Sequence, residues 1–188
     1  MALDAGIITA KDSAMAWNGE ACPFDSWNRD QNLNTAMTNS VNWYFMNLDR
    51  QSGLDSIKRE LTALSYGNLD FSGGLSRFWL ESSLKISPLE QVKLLAALSG
   101  HTLPYSERDM ETVKDALFFS SDGTSSLYGK TGTGTVDEKN TNGWFIGFIE
   151  SENGSCSFAV HIKGDDGATG TKAGEIALRI LKEKQLYG

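Results

Sequence analysis

Met37, Val41, Tyr44, Phe45 and Leu48 recur at helical spacing and the pattern stops near Gly53, while Leu54, Ile57, Leu61 and Leu64 mark a second, shorter apolar stripe. Both predict helices whose aromatic and aliphatic residues are mainly core. Ser87-Pro88-Leu89-Glu90 reads as a capping box with proline at the first helical position, ahead of Val92, Leu94, Leu95 and Leu98. Ser106 opens another helix, packing Met110, Val113 and Leu117. From Ser126 onward the period changes to that of strands. Ser126 to Gly132, Gly143 to Glu150 and Cys156 to Lys163 fit, the last two joined by the turn signal Asn153-Gly154. A helix through Ala173, Ile176, Ala177, Ile180 and Leu181 closes the chain. Lys11 to Asn32, rich in Asn, Asp and Trp with little periodicity, reads as an ordered loop or short-helix region. The order predicts an α+β fold with helices packed on both faces of one antiparallel sheet, as a single domain over residues 1–188.

Length and composition sharpen the picture by exclusion. At 188 residues with 40% hydrophobic side chains, the chain can bury a substantial core. A formal charge of -7 gives no basic footprint for nucleic acid, and no run of Lys or Arg suits an anionic membrane. No apolar run approaches the length that crosses a bilayer, and Met1-Ala2-Leu3-Asp4 lacks the basic start and apolar stretch of a signal peptide. Cys22 and Cys156 are far apart in sequence, which leaves open two free thiols or one disulfide. His101 and His161 stand in unrelated contexts, so no metal site is expected.

The candidate chemistry centres on Lys130-Thr131-Gly132-Thr133-Gly134, which precedes a short turn-rich segment and the strand-like Gly143-Trp144-Phe145-Ile146-Gly147-Phe148. A Lys-Thr-Gly on a strand edge offers a positive charge, a hydroxyl and a glycine that lets a ligand approach the backbone. Upstream lie Thr38-Asn39-Ser40-Val41-Asn42-Trp43-Tyr44-Phe45, with its Ser-x-Asn, then Tyr66-Gly67-Asn68 and Phe78-Trp79-Leu80. With Trp27-Asn28-Arg29-Asp30-Gln31 and Leu84-Lys85-Ile86-Ser87-Pro88-Leu89-Glu90-Gln91-Val92, these ordered motifs cover nearly the whole chain. In order and spacing the chain resembles the class D serine β-lactamases and the sensor domain of the BlaR-type β-lactam receptors.

That resemblance implies a serine β-lactamase and penicillin-binding transpeptidase-like fold and a β-lactam ligand, with no resident cofactor. It also implies a nucleophilic serine in a Ser-x-x-Lys motif ahead of Ser-x-Asn, and no such motif precedes Ser40 here. Met1 to Ile8 reads instead as the tail of the helix that the motif opens, so the chain is expected to be an N-terminally truncated domain. It would lack the N-terminal strands and the nucleophile's helix start. A partial sheet and an exposed apolar face inviting self-association would follow. Ser82-Ser83-Leu84-Lys85 has the motif's spacing but falls after Ser-x-Asn, and reads as ordinary polar residues before a helix.

By resemblance, Ser40 passes protons between the base and the leaving nitrogen, against the alternative that it bonds a carbonyl within its helix. Lys130, Thr131 and Gly132 bind the substrate carboxylate and move protons, and the Thr133 N–H supplies one arm of an oxyanion hole. Lys172 adds positive charge nearby. In the class D enzymes the base lysine is carbonated by CO2, and a tryptophan corresponding to Trp79 bonds the carbamate; Trp79 is either that residue or a buried anchor. Tyr66-Gly67-Asn68 shapes the loop that carries it. Asn42 matches the sensors, whose asparagine there disfavours carbonation. The parent would act outside the cytoplasmic membrane, as a sensor or, alternatively, as a secreted hydrolase; a non-catalytic scaffold is a third reading.

Overall fold

The computed structural model describes residues 1–80 and 83–188. Four strands form one antiparallel sheet in the order β1-β2-β3-β4: β1 Phe118–Ser121, β2 Ser125–Val136, β3 Lys139–Ser151 and β4 Gly154–Lys163. Around it lie helices α1 Leu33–Thr38, α2 Asn42–Ser52, α3 Leu54–Ala63, α4 Pro88–Ser99, α5 Glu107–Leu117 and α6 Gly170–Glu183.

The period of two along β3 sorts the helices to its two faces. Phe145 and Ile149 join Leu127 against Ala173, Ala177 and Leu181 of α6. Phe148 and the half-buried Ile146 meet Leu95, Leu98 and Met110 of α4 and α5 on the opposite face. Phe145 and Phe148 are fully buried, and burial of each contributes about 1.5–3 kcal/mol. A third cluster, Leu33, Ala36, Val41, Tyr44 and Leu48 with Ile8 and Ala116, joins α1 and α2 to α5. The Tyr44 hydroxyl satisfies itself there by donating to the Ser13 carbonyl at 2.8 Å. Helices on both faces of an antiparallel sheet are therefore what the chain forms.

Three local expectations change. The stripe from Met37 to Leu48 is two helices, broken at residues 39–41. The interruption is short enough that Val41 and Tyr44 still point into the same cluster as Ala36, which is why the apolar period ran through it unmarked. The segment after Gly134 continues as strand: β2 and β3 stay paired to Val136 and Lys139, reversing over Asp137 and Glu138 at φ 48° and 62°. Its polar composition concealed pairing that rests on backbone groups. Lastly, Phe118-Phe119-Ser120-Ser121 forms the short edge strand β1 without any alternation, and both phenylalanines remain about half exposed.

At the other end, Ile7 N–H bonds the Ala2 carbonyl and Gly6 N–H that of Leu3, with Gly6 at φ 67°. Residues 2–6 are turns, closed by the pair of bonds that also ends α-helices. Residues 11–32 form the expected ordered loop, with a 3-10 turn at Asp25–Trp27 and a bridge between Met15 and Gln31.

Candidate active site

The end of α1 places Ser40. Val41 N–H bonds the Ala36 carbonyl and Ser40 N–H that of Met37, so Ser40, at φ 52°, occupies the left-handed position that glycine usually takes after a helix. A β-carbon there costs on the order of 1–2 kcal/mol. The same closure ends α3 at Ser65, α4 at His101 and α6 at Gln185, so strain alone does not single out Ser40. Its partner does. Lys130 Nζ, 90 residues away on β2, donates to Ser40 Oγ and also to the Thr131 carbonyl at 2.9 Å. Ser40 therefore lies between helices and bonds across the fold, so the reading that it serves a carbonyl within its own helix does not hold. Burial pushes the Lys130 ammonium below the usual lysine range, with no carboxylate among the described residues set against it.

The strand edge is fixed from behind by α6. Thr133 Oγ1 accepts from the Gly170 N–H at 2.9 Å, and Gly170 lies so close that a β-carbon on it would fall 2.8 Å from the Gly132 carbonyl oxygen. Gly143 meets the Thr169 carbonyl in the same way, at 2.3 Å. Glycine is required at these approaches because two backbones touch. The outer edge of Thr131, Gly132 and Thr133 is free of strand pairing, since β1 reaches only Tyr128. Lys172 sits in the first turn of α6 with its side chain exposed.

The remaining motif residues fall into two groups. Asn42 opens α2 directly after Val41 and is half-buried. Asn68 closes the neck of the loop that carries Trp79: its backbone N–H bonds the Lys85 carbonyl, its amide nitrogen the Ser83 carbonyl, and its amide oxygen the Lys85 N–H. Gly67, at φ 59°, allows it, because a β-carbon would fall 2.0 Å from the Lys85 carbonyl oxygen. Tyr66 anchors the same neck by accepting from Gln91 at 3.1 Å. Ser82 lies outside the described residues. Ser83 and Lys85 serve this closure, Ser83 Oγ donating to the Asp70 carbonyl at 2.7 Å.

Trp79 holds a partner that the sequence did not announce. Its Nε1–H donates to Asp49 Oδ2 at 2.8 Å, and Asp49 is 9% exposed on α2. Burial raises that carboxyl above the usual aspartate range, while the Trp79 bond and nearby Arg50 pull the other way. Asp49 was missed because it stands among Leu48, Arg50 and Gln51 like an ordinary surface charge. Among the described residues no three His, Cys, Asp or Glu side chains gather as metal ligands, and Cys22 and Cys156 are free.

The resemblance carried by these motifs extends to whole sequences and structures. Residues 1–182 match the penicillin binding protein transpeptidase domain. The chain is 44% identical over 187 residues to the regulatory protein BlaR1 of Bacillus licheniformis, which covers 100% of this chain and 31% of that protein. It thus spans about a third of that relative's length. Among solved structures, the C-terminal domain of the Bacillus licheniformis BlaR penicillin-receptor matches with a TM-score of 0.94 at 43% identity, over 100% of this chain and 76% of that one. A class D β-lactamase from Bacillus subtilis matches with a TM-score of 0.92 at 40% identity, over 99% of this chain and 76% of that one. With a domain match through nearly its full length and a backbone shared at this identity, the chain belongs to the penicillin binding protein transpeptidase domain family.

Proposed function

We propose that this chain is the β-lactam-recognising part of a BlaR-type sensor, acylated by the antibiotic at a serine that, with its lysine, is supplied by residues outside these 188. The contact between Ser40 and Lys130 carries the reading, since it joins two of the four polar groups that such acyl transfer uses, the nucleophilic serine and its lysine being the others. In acylation the serine oxygen bonds the β-lactam carbonyl carbon, the carbonyl carbon–nitrogen bond breaks, and the nitrogen takes a proton. Ser40 passes that proton, and a lysine held below its usual range gives it up more readily. Thr131 and Gly132 bind the substrate carboxylate along the free strand edge, and the Thr133 N–H faces the developing oxyanion. Lys172, exposed one turn into α6, adds positive charge.

Slow release separates a sensor from a hydrolase. Release needs a base for water, and carbonation of the lysine by CO2 would provide one beside Trp79. The Asn42 amide, at the start of α2 next to Ser40, withholds it by engaging the lysine. No metal or other cofactor enters, and the domain acts on the outer side of the cytoplasmic membrane. Its apolar edge at Phe118 and Phe119 supports self-association.

Labelling of the full-length protein with a fluorescent penicillin tests the proposal. One label per chain, retained long after free antibiotic is removed, is expected. Similarity to a class D β-lactamase supports the alternative reading, a hydrolase. Turnover of many penicillins per second would establish that alternative and end the sensor reading. The 188-residue chain alone, incubated with benzylpenicillin, should gain no covalent mass; an adduct on Ser40 or Ser82 would overturn a nucleophile supplied from elsewhere.

A further inference from the structure

Serine hydroxyls in this fold are commonly spent on the backbone: Ser76 Oγ donates to the Met46 carbonyl, Ser83 to that of Asp70, Ser99 to that of Ala96 and Ser121 to that of Ser125. Ser40 differs. Among the described residues its Oγ bonds a side chain alone, the Lys130 amine, and its left-handed turn sets it between α1 and α2, outside both helices. The same Nζ donates to the Thr131 carbonyl at 2.9 Å, so one nitrogen joins the hydroxyl to the edge of β2 that no strand covers. A strand residue points its N–H and C=O to the same side, and the direction repeats at every second residue. The N–H groups of Thr131 and Thr133 therefore face that open edge, beside the carbonyl that Lys130 holds.

From this geometry we propose that Ser40 and Lys130 are also a serine–lysine dyad, Ser40 the nucleophile and Lys130 its base, through which this chain is acylated on Ser40 by activated esters. An ammonium has no lone pair, so Lys130 acts once it has lost a proton; the contact then reverses and the Ser40 O–H donates. Burial, with no ionised group among the described residues set against it, favours that neutral amine. In the reaction the Ser40 proton passes to Lys130 Nζ, Oγ bonds the ester carbonyl carbon, and the carbonyl oxygen takes up negative charge beside the N–H groups of the strand edge. The carbon–oxygen bond to the leaving group then breaks, the electron pair departs with the aryloxide, and Lys130 returns its proton to solvent. The leaving group sets the substrate class. An aryloxide departs without a proton, whereas a β-lactam nitrogen must be given one, and the hydroxyl that gives it in the proposed function is here the group that attacks. The inference is independent of the sensor reading, whose nucleophile lies outside these residues.

The test incubates the 188-residue chain with p-nitrophenyl acetate, follows p-nitrophenolate release and maps the acetyl group by peptide mass. One acetyl group on Ser40 is expected, at a rate that rises with pH and levels off below 10.5 as Lys130 becomes neutral. Ser40→Gly suits the left-handed position, so it should keep a cooperative melt and lose the rapid release. Lys130→Met should slow acetylation of Ser40 by roughly 10²–10⁴-fold, the contribution of a positioned base. Lys130→Arg keeps the positive charge but offers no lone pair, and should be as slow as Lys130→Met. Acetylation of Ser40 at the wild-type rate in Lys130→Arg, or release undiminished in Ser40→Gly, overturns the dyad. An acetyl group on Lys130 in place of Ser40 overturns it too, since the amine itself is then the nucleophile. None of these outcomes bears on labelling of the full-length protein by fluorescent penicillin, so the sensor reading stands or falls separately.

Discussion

Two walls flank Ser40, and they treat charge in opposite ways. On the β2 wall a cation is buried: Lys130 donates to Ser40 and to the Thr131 carbonyl, and burial drives it toward the neutral amine. On the α2 wall an anion is buried: Asp49 accepts from Trp79, and burial drives it toward the neutral acid. The first wall is braced by backbone, through the glycine contacts of α6 with β2 and β3. The second is braced by side chains on a loop closed at its neck by Asn68. In the proposed function the group that moves protons at acylation therefore stands on the strand braced by backbone. The proposed function puts acylation on β2 and, through Asn42, the persistence of the acyl group on α2.

The sharpest way to break this division is at Lys130. Lys130→Met in the full-length protein should slow labelling by fluorescent penicillin by roughly 10²–10⁴-fold, the range that a positioned proton-transfer group contributes. Labelling within a few-fold of wild type would remove Lys130 from the proton path. Asn42→Val probes the other wall. It should leave the labelling rate far less affected than Lys130→Met does, and raise release by roughly ten- to a hundredfold when bicarbonate is present, a part of what a general base supplies. Acceleration without bicarbonate would mean that Asn42 acts on water directly.

The bracing of the β2 wall makes a stability prediction within one helix. Gly170→Ala in this chain forces a β-carbon to 2.8 Å from the Gly132 carbonyl, and the strain should cost about 1–3 kcal/mol in denaturant unfolding. Gly174→Ala, four residues on, meets only Phe145 and Thr131 side-chain atoms at 3.9 Å. It should be neutral, or stabilising by about 0.5–1 kcal/mol through helix propensity. Equal costs at the two sites would show that α6 does not register against Gly132.

These walls were unequally legible in the sequence. The β2 wall was readable because Lys130-Thr131-Gly132 and the strand run from Gly143 to Phe148 are contiguous, and strand alternation then dictates which residues share a face. The capping box at Ser87 and the core stripe of α6 were local for the same reason, and each stands where the pattern put it. The break at Ser40 was hidden because the left-handed cap uses serine where glycine would have advertised it. Asp49 was hidden for a different reason. A carboxylate one position after a core leucine looks solvated, and its partner is Trp79, 30 residues away on the loop that also bonds α2 through Ser76. Contacts across 30 or 90 residues, such as Asp49 to Trp79 or Ser40 to Lys130, leave no periodic trace.

The smallest expected effect is also the one that compares the walls directly, through the pH dependence of melting in this chain. The folded-state pKa of Asp49 is raised above 3.8, so between those two values the folded state binds more protons than the unfolded one. Ionised Asp49 therefore costs stability above its folded pKa, and the cost fades as pH falls toward 3.8. For Lys130 the folded pKa is lowered below 10.5, the unfolded state binds more protons in that window, and the cost of the buried ammonium fades as pH rises toward 10.5. The melting temperature of Asp49→Asn relative to wild type should hence be highest near neutral pH and decline on acidification. That of Lys130→Met should decline on the alkaline side. About 2–4 °C corresponds to 1 kcal/mol in a chain of this size, so differential scanning calorimetry across pH resolves the two trends. Parallel trends in the two variants would mean that one of these charges is not buried as the structure places it, and the opposition between the walls would fail.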